Sequence, residues 1–167
     1  MSSIEHFAEG GTMGKYFKMS RRFDKLKPSD FGLIANTEEN CAVDPNDESA
    51  WYPCTLYDFG WGCENGYFRA PLPAYSELLK IVCESDEQED IYGAAAIILE
   101  SYSNDLLKDL ELIFSDTGNV LLKKKLAIVF QLHICINRSN IQGKSYSEIV
   151  ADTNRWSAIT KFVKAMK

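Results

Sequence analysis

The sequence of 167 residues predicts a mainly α protein of stacked antiparallel helical hairpins with an irregular amino-terminal annex. One observation is a change of composition near residue 71, because seven of the ten glycines and three of the five prolines precede it. Another is that later apolar residues recur at intervals of three and four, as in amphipathic helices. We therefore divide the chain into an annex, 1–71, and a helical repeat region, 72–167, within one compact domain.

Within the annex, the segment 51–68 is rich in aromatic residues. The turn-forming residues Glu64-Asn65-Gly66 predict that two short strands meet there in a β-hairpin. The acidic and turn-rich segment 36–50 predicts a surface loop. The aromatic segment allows two interpretations. It forms a small core that caps the first helix pair, which we favour, or it forms a recognition patch.

Apolar stripes and capping residues predict the helices of the second region in order. The first three stripes lie between Leu78 and Cys83, between Ile91 and Tyr102, and between Leu106 and Phe114. Asn119 is expected to cap a long fourth helix that ends near Asn137. Ser145 and Glu148 form a capping box that predicts a short fifth helix. A final apolar stripe, from Trp156 to Met166, predicts a sixth helix.

A weak internal repeat supports stacked hairpins. A shift of 31 residues aligns 79–84 with 110–115 and also 96–99 with 127–130. The segment 90–99 resembles the second helix of a HEAT-like repeat, in which small residues let helices approach closely. This resemblance extends over about residues 73–137 and implies a helical-repeat protein.

Charge is strongly segregated along the chain, which has a net charge of −6. Ten acidic residues and a single lysine lie between Glu84 and Asp116, whereas the charged residues after Asp116 are mainly basic. The links between paired helices would bring the acidic groups to one edge and steer a cationic partner there, although a simple solvated face is an equal alternative. The candidate partner-binding residues are Trp51, Tyr57, Trp61, Asp86, Glu87, Glu89 and Asp90.

These features together predict a protein that binds another protein and is not an enzyme. In size, acidity and helical-repeat character the chain resembles bacterial immunity proteins, which implies neutralisation of a cognate, basic toxin domain by direct binding. An adaptor in a larger assembly is a further option with the same physics. The rival class is a cysteine-dependent enzyme in which Cys54 or Cys63 pairs with His133.

Other classes are excluded or disfavoured by the sequence. The five cysteines lack the close pairs of a zinc site, so no metal or cofactor is expected. The segment 126–136 is too short to cross a membrane, and no export signal is visible at 1–14, so we expect a cytoplasmic protein. A basic amino-terminal stretch could contact phosphates, but the sequence pI near 5.0 makes a nucleic-acid partner unfavourable.

Overall fold

A five-stranded antiparallel sheet precedes five α-helices in the computed structural model, which describes residues 16–20, 27–58 and 63–166. The strand order across the sheet is β1-β5-β4-β3-β2. A short 3₁₀ helix, Pro28–Phe31, lies between the first two strands. The strands are β1 Phe17–Ser20, β2 Ile34–Asn36, β3 Cys41–Val43, β4 Ala50–Asp58 and β5 Cys63–Arg69. The helices are α1 Tyr75–Glu84, α2 Gln88–Ser101, α3 Ser103–Ser115, α4 Val120–Val129 and α5 Tyr146–Ala165.

The prediction of a mainly α protein with an irregular annex is therefore wrong, because the fold is α+β. Three of the strands have only three or four residues, too few to show the alternation that identifies a strand from sequence. The edge strand β1 pairs with β5, so that Phe17 lies opposite Phe68. Such pairing between distant segments leaves no local signal.

The predicted hairpin exists, but its turn does not lie at Glu64-Asn65-Gly66. These three residues belong to β5, where Asn65 pairs with Thr55 of β4 and with Ser20 of β1. The connection between β4 and β5 falls outside the described residues. The segment 36–50, predicted to be a loop, contains the strand β3 as well as turns.

The helices cover one face of the sheet. Helix α2 packs on β1 and β4, and the main core joins this helix to Phe17, Phe68 and Cys54 of the sheet. Phe68 of β5 lies beside Phe17 of β1 and Tyr52 of β4, so these three side chains share the helix-facing side. The largest buried cluster therefore lies between sheet and helices.

The opposite face of the sheet has a smaller core of its own. Trp51 and Tyr67 pack there with Leu33 and Ala42, and the edge of Phe31 contacts the ring of Tyr67 with centroids 5.3 Å apart. The 3₁₀ helix thus covers the face that α2 leaves open.

Helical-repeat packing is also wrong. Helices α1 and α2 pack as a pair, but α3 packs on α2 and α5, whereas α4 packs on α1 and α2. The second predicted hairpin, α3 with α4, is therefore not the structural equivalent of the first. This packing contradicts the HEAT-like resemblance. It also contradicts the resemblance to immunity proteins, which relied on repeat character.

The predicted starts of α4 and α5 are confirmed. The predicted end of α4 and the predicted division of the last segment into two helices are wrong. The Asn119 side chain caps α4 by accepting from the Leu122 amide at 3.0 Å, as predicted. Helix α4 ends at Val129 and not near Asn137, and an irregular segment follows. The capping box of Ser145 and Glu148 is present, but it starts one helix of 20 residues instead of two.

Candidate functional site

The four acidic residues that we predicted as a partner-binding edge lie in or next to the link between α1 and α2. Asp86 and Glu87 are exposed in this link, which we call the acidic link, 85–87. Glu89 is half-buried in the first turn of α2, and Asp90 beside it is fully buried. The acidic link thus offers two of the four predicted carboxylates to a partner.

Asp90 instead holds the edge strand of the sheet. Its Oδ1 atom accepts hydrogen bonds from the backbone amides of Tyr16 at 2.6 Å and Phe17 at 2.9 Å. A buried carboxylate that accepts two backbone hydrogen bonds connects the start of β1 to α2. The sequence offered no indication of this role, because the two partners are more than seventy positions away.

Of the three aromatic residues predicted to contact a partner, Trp51 is the one whose side chain the structure describes, and it is buried. Trp51 is 2% exposed in the smaller core, and its indole Nε1 donates to Ser49 Oγ at 2.9 Å. Tyr57 lies in β4 opposite Glu64, and the placement of its side chain is outside the described structure. Trp61 also falls outside the described residues. Of these three, Trp51 therefore has a packing role.

Two lysines of α4 bind the carboxyl ends of two other helices. Lys125 Nζ donates to the carbonyl oxygens of Cys83 at 3.0 Å and Ser85 at 2.9 Å, at the end of α1. Lys123 Nζ donates to the carbonyl oxygen of Asp116, at the end of α3. A cation is favourable there because a helix end carries unpaired carbonyls and the negative end of the dipole. These contacts attach the acidic link and Asp116 to α4.

An exposed apolar surface on α4 was missed by the sequence analysis. Leu121 is 81% exposed and Ile128 is 68% exposed, and Lys124 lies exposed between them. Spacings of three, four and seven place these residues on one side of the helix, and we call them the α4 ridge. Successive residues differ by about 100° around a helix, so Lys123 and Lys125 leave on either side of Lys124. The backbone of the acidic link and that of Asp116 are therefore bound by lysines on the two sides of the ridge.

A signal for this ridge was present in the sequence. Leu122, Leu126 and Val129 form an inward apolar stripe, and all three are buried or half-buried. Leu121 and Ile128 are two further apolar residues seven positions apart on the remaining side. An amphipathic surface helix normally places polar residues there, so this pair indicated a contact surface.

Of the residues of the rival cysteine-dependent enzyme, Cys54 lacks the property that a nucleophile needs. Cys54 packs against the main core, and burial raises the pKa of its thiol to about 12. A reactive cysteine needs the opposite change, because the thiolate is the nucleophile. His133 is exposed in the irregular segment after α4. The side chain of Cys63 is outside the described structure.

In residues 16–20, 27–58 and 63–166 no group of three or more histidine, cysteine or acidic side chains is arranged to hold a metal ion. The basic amino-terminal stretch lies mostly outside these ranges. Its member Lys18 pairs with Asp44 at 2.9 Å and lies 4.7 Å from the ring centroid of Trp51. Lys18 is thus engaged within the fold.

None of the helices in the described part of the chain is long and apolar enough to span a membrane.

Comparison with protein-family models, with curated proteins and with solved structures gives no match for this chain.

Proposed function

We propose that this chain is a protein-binding domain that recognises a basic partner through the α4 ridge and the acidic residues beside it. The observation that carries the proposal is the exposure of Leu121 and Ile128 on one face of a helix whose Lys125 and Lys123 bind the backbone of the acidic link and of Asp116. An apolar strip with a charged rim is the usual composition of a contact surface between proteins.

The apolar part supplies the free energy of binding. Covering a leucine or isoleucine side chain contributes about 1.5–3 kcal/mol relative to leaving it in water. Leu121 and Ile128 are separated by two helical turns, so a partner helix or strand laid along α4 can cover both. Such contacts mainly determine how slowly the complex dissociates.

The acidic part supplies steering and selectivity. Lys125 binds the backbone of the acidic link, which holds Asp86 and Glu87, and Lys123 binds the backbone of Asp116, while the ridge itself has the single cation Lys124. A partner with basic side chains around an apolar strip is therefore complementary to this surface. Neutralisation of a basic toxin domain is one form that such binding would take, with the chain in the cytoplasm.

The test compares capture of partners by three forms of the full chain from the cells that make it. One form is unchanged, one has Leu121→Ser and Ile128→Ser, and the control has Leu112→Ser, which alters an exposed leucine of α3. We expect one basic protein in stoichiometric amount with the unchanged chain and the control, and at least a tenfold loss with the ridge variant.

A second variant separates steering from packing. Asp86→Lys with Glu87→Lys should slow association with the captured partner and weaken its dependence on salt, with a smaller effect on dissociation. Equal capture by all forms, or an association rate that these charge reversals leave unchanged, would contradict the proposal.

A further inference from the structure

An apolar groove lies where the end of α3, the start of α4 and the end of α5 meet. It has a volume of about 390 Å³, within the range of pockets that hold small ligands. Its apolar walls come from all three helices, and Lys123 and Asp116 add the charged groups. The apolar lining residues are Phe114, Val120, Phe162 and Met166.

The walls of the groove are ordered by aromatic packing. The rings of Phe114 and Phe162 meet edge to face with centroids 5.5 Å apart. Phe114 is buried at the bottom, whereas Phe162 is 42% exposed and Val120 is also exposed. The groove is therefore open to solvent on one side, and its apolar walls would gain from being covered.

Lys123 places a buried ammonium in this apolar surrounding. The residue is 3% exposed, its Nζ donates to the carbonyl oxygen of Asp116, and it lies 5.5 Å from the ring centroid of Phe162. Among the described residues no carboxylate lies within ion-pair distance of this Nζ. Buried charges are normally paired, and an ammonium has three donors.

Capping a helix end satisfies the ammonium of Lys125 more fully than that of Lys123. Lys125 donates to two carbonyl oxygens of α1 and remains half-buried, so solvent reaches it as well. Lys123 has one carbonyl oxygen and a ring in a more buried position. A negatively charged oxygen in the groove would complete its hydrogen bonding.

We propose that this groove binds a small amphipathic carboxylate, whose alkyl chain covers Phe114 and Phe162 and whose carboxylate pairs with Lys123. The apolar walls select the chain, and the buried ammonium selects the anion. Asp116 also lines the groove, and its negative charge opposes an anion, so it sets an upper limit on affinity. The argument for this site does not rest on partner binding at the α4 ridge.

The test measures binding of sodium decanoate and of decanol to the full chain by calorimetry, with thermal unfolding as a second measurement. The two probes share an alkyl chain and differ in the charged head. We expect decanoate to bind at least tenfold more tightly than decanol and to raise the unfolding temperature. Equal binding of the two probes, or no binding of decanoate, would overturn the proposal.

Variants assign the anion preference to one side chain. Lys123→Met should remove the preference, the matched control Lys125→Met should keep it, and Asp116→Asn should tighten decanoate binding. If Lys123→Met does not fold, Val120→Trp at the exposed mouth of the groove replaces it and should abolish binding of both probes. Decanoate affinity that is the same in the unchanged chain and in Lys123→Met or Val120→Trp would refute the site.

Discussion

The ring of Phe17 lies directly against the backbone of Gly93. A Cβ atom built on Gly93 would be 2.3 Å from Cγ of Phe17 and 2.6 Å from its Cβ. Both residues are fully buried or nearly so, and the contact joins the edge strand β1 to helix α2. The absence of a side chain at position 93 is therefore what lets the sheet and the helix approach each other here.

Gly93→Ala should destabilise the fold by about 2–3 kcal/mol, although alanine is the better helix former. The added methyl group overlaps the Cβ and ring of Phe17, which cannot move without displacing β1. Urea unfolding measures the change. Gly118→Ala is the matched control, since its nearest neighbour is a mobile carboxylate oxygen of Asp116 at 3.0 Å. An equally small effect in both variants would contradict the close contact.

Asp90→Ala should destabilise the fold by about 3 kcal/mol, because it leaves the buried amides of Tyr16 and Phe17 without their acceptor. Hydrogen exchange at these two amides should become faster than at the other amides of the sheet. Asp86→Ala, which removes an exposed carboxylate four residues earlier, should change stability by less than about 0.5 kcal/mol. Unchanged exchange at Phe17 in Asp90→Ala would show that the carboxylate does not hold the strand.

Asp44 should account for part of the decrease in unfolding free energy at acid pH. The backbone amide of Asn46 and then the ammonium of Lys18 lower the pKa of this carboxyl to about 2. Because the pKa is lower in the folded state, the stabilisation is complete above the unfolded value near pH 4. It is lost as the pH falls from about 4 towards 2. Asp44→Asn should therefore flatten this part of the curve of unfolding free energy against pH.

The same carboxyl allows a direct check by nuclear magnetic resonance titration. In Lys18→Met the pKa of Asp44 should rise, yet stay below its usual range, because the Asn46 amide still donates at 3.0 Å. A normal pKa for Asp44 in the unchanged protein would contradict both contacts.

Thiol labelling separates the binder from the rival enzyme. Cys135 is exposed, whereas Cys54 is half-buried against the core and burial raises the pKa of its thiol to about 12. We expect iodoacetamide to modify Cys135 first in the folded chain and Cys54 only slowly. Mass spectrometry of peptides resolves the sites, with Cys135→Ser as the control. Fast labelling of Cys54 below neutral pH would revive the enzyme hypothesis.

The helices were predictable from local signals, because a cap acts within a few residues. Asn119 and the pair Ser145 and Glu148 mark helix starts through hydrogen bonds that span only three residues. The end of α4 was not predictable in this way. Gln131 has a positive φ of 50°, and Arg138 donates to the carbonyl oxygens of Gln131, Ile134 and Ile136. The helix therefore ends at the left-handed Gln131, after which the Leu132 amide donates to the Ala127 carbonyl oxygen at 2.9 Å, and Arg138 holds the segment that follows.

The sheet and the candidate site depended on contacts between distant segments. Phe17 and Phe68 are paired across two strands, and neither residue has a neighbour in sequence that shows this. The charge count correctly located the acidic segment but could not show that Asp90 turns inward while Asp86 stays exposed. The aromatic count likewise could not show that Trp51 is covered by the 3₁₀ helix region.

The ten residues of α4 hold the ends of two other helices through Lys123 and Lys125. If α4 frays, or if both amines are acetylated, the ends of α1 and α3 are released in the same event. Because the α4 ridge and the adjoining apolar groove are both built on this short helix, they should unfold together as one cooperative unit. Loss of the Lys123 and Lys125 contacts together would therefore remove both proposed recognition surfaces at once.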